Sequence, residues 1–278
     1  MNPISVTTAP LNILIGEDYH NVRATLDLAK EIWNASAVDG FEFQYLAEWD
    51  ASTSPRDDKT KSHRRTAWET SEKHTEREIA ELILKSGVPI ISVHGNRDIG
   101  ICLCSEEESE QEIGNDMLDD TFLLADSIGA NLVVFHLWDT WKDSFNLKYL
   151  QEALAKASQR FPNVIPTVEN VPTHLKGHTP FDLVSVFEFV TLDLRWAAMY
   201  DEFEKFSEIA DKIANVHIRA SLIDRKWSMM DSPFTIEDAL NKICIDWGYT
   251  GPLTVEPEGG LRQASLSDFN EAFKTLRR

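Results

Sequence analysis

Glu169, Asp193, His217 and Glu256 are the residues of this chain whose types and spacing most plainly suit chemistry. Each stands at or near the C-terminal end of a short apolar, β-branched run: VIPTVEN, VTLDL, IANVHI and PLTVE. Three carboxylates and one imidazole gathered at one mouth would bind a hard or borderline divalent cation. His94 and His136 close two further runs, PIISVH and NLVVFH, in the same way. A lone strand-end histidine or glutamate is usually structural or solvated. Six of them together point to a shared site, because parallel barrels collect their active-site residues at the C-terminal ends of several strands.

The elements needed to position such a set recur along the whole chain. Strands are expected at ISVTT, GFEFQYL, PIISVH, NLVVFH, NVIPTVE, FVTLDL, ANVHI and GPLTVE. Helical spacing of apolar residues is clear from Asn21 to Trp33, with Val22, Leu26, Ala29 and Ile32 on one face. A second helix spans Thr75 to Lys85, with a capping-box spacing at Thr75 and Glu78 and Gly87 just past its end. Another opens at Ser105 with the spacing Ser-x-x-Glu and runs to Ile128. Helices are also expected over Leu147 to Phe161, near Phe181, and over Asp201 to Ile213, Thr235 to Ile245 and Ser267 to Leu276. Eight βα units without a break in composition predict an α/β fold: a single (β/α)8 TIM barrel, one domain over residues 1–278.

One polar stretch, Asp50 to His74, interrupts the repeat after strand 2. It reads either as a solvated insertion or as a lid over the mouth, with Arg56, Lys59, Lys61, Arg64 and Arg65 giving local positive charge. No Gly-x-Gly-x-x-Gly or Walker-type loop follows a strand, which weighs against nucleotide phosphate binding of those kinds.

The formal net charge of -19 argues against broad electrostatic capture of DNA or RNA. Cys102, Cys104 and Cys244 are too few and oddly numbered for a disulfide framework. The N-terminus lacks the flank and apolar core of a signal peptide, and no window approaches 18 apolar residues. A cytoplasmic protein with no membrane partner is the expectation.

The fragments PIISVHG, GANLVVFHLW, PTVEN, VTLDLRWA, NVHIRAS and GYTGPLTVEPE, in that order, resemble the xylose isomerase-like barrel superfamily. That superfamily holds sugar isomerases, ketose 3-epimerases, inosose dehydratases and metal-dependent apurinic endonucleases. In its epimerase branch one metal is held by Glu, Asp, His and Glu, so the resemblance implies Glu169, Asp193, His217 and Glu256 as ligands. Three carboxylates favour Mn²⁺ or Mg²⁺, and the imidazole also admits Co²⁺ or Zn²⁺. Such an ion would stabilise an enediolate beside the substrate carbonyl, with Glu169 and Glu256 moving the proton from opposite sides. His94 and His136 resemble histidines that line the pocket of sugar-processing members, and substrate hydrogen bonding is expected of both. Trp138, Trp141 and Trp196 are candidate walls against a sugar ring or core residues. Arg219 or Arg225 would contact substrate oxygens, the latter at a longer spacing than the family's arginine. The partner implied is a small sugar or polyol, and barrels of this type often pair as homo-oligomers.

Two departures bear on function. The family's Asp-x-x-His reads Asp193-Leu-Arg-Trp196 here, and Ala220 stands where an acid often follows the seventh strand. With no Asp-x-His in LIDRKWSMMD, a three-metal endonuclease site lacks several ligands. The leading expectation is a metal-dependent isomerase or epimerase. The alternatives are a dehydratase or lyase on the same scaffold, or a ligand-binding barrel with a decayed site.

Overall fold

Alternation of polar and apolar residues along most strands, Leu132–Phe135 (LVVF) excepted, decides the architecture. The structure, a computed structural model, describes residues 1–16, 21–46, 49, 55 and 68–277. Its strands are β1 (Ile4–Thr7), β2 (Gly40–Gln44), β3 (Ile90–His94), β4 (Leu132–Phe135), β5 (Ile165–Glu169), β6 (Val190–Asp193), β7 (Ile213–Ile223), β8 (Lys226–Ser228) and β9 (Leu253–Gly259). The first seven and β9 are parallel, and the sheet closes through β6–β7, β7–β9 and β9–β1 pairing. This is the eight-stranded barrel expected from the repeat. The short β8 was not expected; it turns back antiparallel on the end of β7.

Apolar residues of each strand, such as Val6, Phe43, Val133, Val168, Leu192, Val216 and Val255, join the core shared with the helices. The alternate set points into the barrel: Ser5, Glu42, Ser92, Thr167, Thr191, Asn215 and Thr254, then His94, Glu169, Asp193, His217 and Glu256 above them, all buried. Glu42 and Asn215 bond across the interior from β2 and β7, strands that do not neighbour each other. Barrel interiors of this kind are usually filled by branched apolar side chains. Here the filling is polar.

The helices include α1 (Val22–Asn34), α2 (Glu76–Ser86), α3 (Asp98–Leu103), α4 (Glu108–Ile128), α5 (Leu147–Ser158), α6 (Pro180–Val184), α7 (Leu194–Met199), α8 (Ile236–Asn241) and α9 (Leu266–Lys274). Thr75 and Glu78 form the expected capping box, and Gly87 ends α2 at φ 70. Ser105 does not cap α4: its hydroxyl accepts from the Glu107 amide (3.2 Å), and the helix starts at Glu108. The stretch expected to be helical from Asp201 is a 3-10 segment, Phe203–Lys212, broken at Ile209. Among the described residues no helix is long and apolar enough to cross a membrane. Most of the inserted segment, with Arg56, Lys59, Lys61, Arg64 and Arg65, lies outside the described residues.

Candidate active site

Strand register puts the chemically capable side chains at one level. Asp193 pairs with His217 across β6–β7, Arg219 with Glu256 across β7–β9, and Gln44 with His94 across β2–β3. His94, Glu169, His217 and Glu256 therefore converge at the C-terminal mouth, and Arg219 stands one inward position above His217.

His217 is the hub. Its Nε2 lies 3.1 and 3.2 Å from the two oxygens of Glu42. Its Nδ1 faces Glu169 Oε2 at 3.3 Å and Glu256 Oε1 at 3.4 Å. Those distances are within ion-pair reach, yet neither contact has the geometry of a hydrogen bond. Glu42 is fully buried and receives hydrogen bonds from Ser92 (2.8 Å) and Asn215 (3.1 Å). A carboxylate on the far nitrogen fixes the ring's orientation and makes the near nitrogen a better ligand. Burial disfavours charge on His217, but Glu42, Glu256 and Glu169 outweigh it and hold the imidazole well above its usual value.

Sequence reading missed Glu42. It lies in mid-strand in GFEFQ, and strand ends were the signal being followed. The cue was the alternation itself: ISVH, PTVE, VTLD, NVHI and LTVE each place polar residues two apart, and GFEFQ does the same at Glu42 and Gln44.

Glu169 is fully buried and receives three histidines on Oε2: His136 Nε2 at 3.1 Å, His217 Nδ1 at 3.3 Å and His94 Nε2 at 3.5 Å. Burial opposes its charge, but His136 and His217 prevail and hold the carboxyl well below the usual range. His94 is raised, burial notwithstanding, chiefly by Glu169 and Glu42. His136 is lowered by burial. Gly100 in α3 allows this corner to close: a Cβ there would meet His136 O and the Trp138 backbone at 2.7 Å.

Arg219 spans the acidic side. Nε donates to Asp193 Oδ2 (2.8 Å), and Nη2 lies 3.2 Å from Glu169 Oε1 and 2.6 Å from Glu256 Oε2. Each glutamate thus turns one oxygen to His217 and the other to Arg219. The guanidinium sits over Trp196, 5.2 Å from the ring centroid. The other oxygen of Asp193 caps α7, accepting from the Arg195 and Trp196 amides at 2.8 and 3.1 Å. Burial pushes the Asp193 carboxyl up to about 6, against the pull of Arg219.

Of the remaining residues singled out in the sequence, Trp138 is buried and donates its indole N–H to Pro172 O at 3.0 Å. Trp141 is exposed and stacked on His174. Arg225 is not brought to the mouth. It occupies the tight β7–β8 turn at φ 63 and pairs with Asp268 on α9 at 2.7 Å.

Among the described residues, three overlapping groups place ligand atoms within 4.8 Å of one another: Glu169, His217 and Glu256; Glu42, His94 and Glu256; and His94, His136 and Glu169. Two donors on one ion, about 2.1–2.2 Å from it and about 90–109° apart, stand roughly 3.0–3.5 Å from each other. The 3.3 and 3.4 Å contacts of His217 Nδ1 are separations of that size, and the nitrogen is otherwise unpartnered. The residues of the first group therefore fit a divalent ion. Asp193 stands outside all three groups, and its two oxygens are taken by Arg219 and by the first turn of α7.

No protein-family model matches the sequence, and comparison with curated proteins gives no match. Solved structures do resemble it. A sugar phosphate isomerase/epimerase from Parabacteroides distasonis aligns over 99% of this chain and 95% of its own, at TM-score 0.66 and 12% identity. An L-ribulose 3-epimerase aligns over 92% and 82%, at 0.63 and 16%. A xylose isomerase domain protein from Planctomyces limnophilus aligns over 99% and 95%, at 0.57 and 14%. Likeness at these identities is one of fold: the chain shares the (β/α)8 barrel of these structures.

Proposed function

We propose that this chain is a divalent-metal-dependent isomerase or epimerase of a sugar or related polyol. The observation that carries the reading is the pair Glu169 and Glu256, two carboxylates straddling an unpartnered imidazole nitrogen at the mouth of the barrel. The fold it shares with an L-ribulose 3-epimerase is consistent with it. Glu169, His217 and Glu256 would hold the ion, Mn²⁺ or Mg²⁺ by their oxygen majority. When bound, the ion supplies Lewis-acid polarisation of a substrate carbonyl and its neighbouring hydroxyl.

The chain's own groups do the rest. Glu169, held well below the ordinary carboxylate range, is ionised and placed to take the proton as the C–H bond beside the carbonyl breaks. The electron pair left behind is drawn to the carbonyl oxygen. Glu256, on the other side of the mouth, is placed to pass a proton drawn from solvent to the opposite face of the same carbon in epimerisation, with Glu169 releasing its own to solvent; in isomerisation the proton taken by Glu169 returns to the neighbouring carbon. His94 and His136 orient Glu169 through their Nε2 atoms, and the half-buried His136 is placed to offer its other nitrogen to a substrate oxygen. Trp196, half-buried beside Arg219, supplies the apolar wall, while Trp138 is a core residue fixed by its bond to Pro172 O.

The test is solvent-deuterium uptake into a panel of ketoses and aldoses with Mn²⁺ added. A substrate should gain deuterium beside its carbonyl without other change of mass, and Glu256→Gln should lower turnover by about 10²–10⁴-fold. A product lighter by one water would assign a dehydratase instead. Absence of exchange and turnover across the panel would reject the catalytic reading.

A further inference from the structure

Asp193 is an inward, strand-end acid like Glu169 and Glu256, yet it shares no donor group with them. Its position is fixed from every side. Asn170 pins its backbone, accepting from the Asp193 amide at 2.6 Å and donating to its carbonyl at 3.2 Å. The first turn of α7 takes one carboxylate oxygen, and Arg219 Nε takes the other. Arg219 itself is wedged against the face of Trp196 and reaches one oxygen of each glutamate. A guanidinium keeps its charge at any ordinary pH. It therefore holds the second oxygen of each glutamate, Glu169 Oε1 and Glu256 Oε2, together with Asp193 Oδ2, and it repels a divalent ion at short range.

We propose that Arg219 is a built-in cation that withdraws Asp193 from the ligand set and confines the mouth to one weakly held divalent ion on Glu169, His217 and Glu256. This rests on the proposed function only in taking those three residues as a cation site. Arg219 is then a positioning residue that sets ion affinity.

Calorimetric titration with Mn²⁺ alone, on the full chain, tests it in four proteins: wild type, Arg219→Gln, Asp193→Asn and the double variant. Arg219→Gln should bind Mn²⁺ tighter by on the order of tenfold or more, since an adjacent positive charge is removed and three oxygens are released. Asp193→Asn alone should leave wild-type affinity unchanged, and should cancel the gain in the Arg219→Gln background. Unchanged or weaker binding by Arg219→Gln, or weaker binding by Asp193→Asn alone, overturns the inference and leaves the metal-dependent reading standing. Absence of Mn²⁺ binding by all four overturns both. Should Arg219→Gln not fold, wild-type crystals grown with Mn²⁺ decide: Asp193 Oδ2 still on Arg219 Nε is the expected result, and Asp193 on the ion overturns it.

Discussion

Two layers of the barrel interior differ sharply. In the lower one, Ser5 bonds Thr254 at 2.6 Å, Thr254 donates to Asn215 at 3.0 Å, and Thr167 bonds Thr191 at 2.6 Å. These are short, neutral groups whose hydrogen bonds are met by one another. In the upper layer, acids and imidazoles crowd together, and Glu42 Oε1, His217 Nδ1 and Glu256 Oε2 have ion-pair contacts but no aligned hydrogen bond. Buried polar groups are normally satisfied, so a cluster of exceptions marks where stability has been traded for binding or catalysis. Glu42 joins the layers, taking neutral donors from below and His217 from above.

The largest expected contrast is in turnover. Glu256→Gln should lower kcat by about 10²–10⁴-fold, the usual share of a positioned acid or base. Thr191→Val, one layer down, should leave kcat unchanged in the same steady-state assay. A comparable loss in both would erase the division between layers.

Ion affinity sharpens the same contrast. Glu42→Gln removes the carboxylate behind His217 and should weaken Mn²⁺ binding by about 10–100-fold in a calorimetric titration. Thr191→Val should not change it. Equal affinity in Glu42→Gln and wild type would show that the far nitrogen of His217 does not govern the near one.

Stability should order the layers the other way for small changes. Thr167→Val strips a satisfied donor and should cost about 1 kcal/mol in denaturant unfolding. Glu256→Gln lightens a crowded acidic cluster and should cost less than that, or stabilise the chain.

The smallest effect lies on the outer helices. Asp182 is held below the usual aspartate value by the Thr179 backbone hydrogen bond, Asp238 by the Thr235 hydroxyl and Asp268 by the Ser265 hydroxyl. A depressed folded value means the stabilisation is present above the ordinary aspartate value of about 4 and is lost as pH falls below it through the folded value. Melting temperature should drop over that window, and drop less in Asp238→Asn.

Much of this was legible in the sequence, for physical reasons that differ by element. The eight barrel strands and α2 announce themselves through period and caps, which are local. Convergence of Glu169, His217 and Glu256 follows from their common place at strand ends. The engagement of Asp193 by Arg219 was not legible, because it depends on a side chain from the next strand and on the start of α7. Arg225 misled for a similar reason: its turn directs it to Asp268, and only the unforeseen β7–β8 hairpin fixes that turn. Ser105 has the spacing of a cap, but the short helix α3 before it sets a different path for the chain.

Anomalous diffraction from crystals of the full chain soaked in Mn²⁺ bears most directly on the cation site. The expected result is one peak within coordinating reach of Glu169 Oε2, His217 Nδ1 and Glu256 Oε1. A map with no peak among those three atoms, or with Mn²⁺ bound only elsewhere, would contradict it.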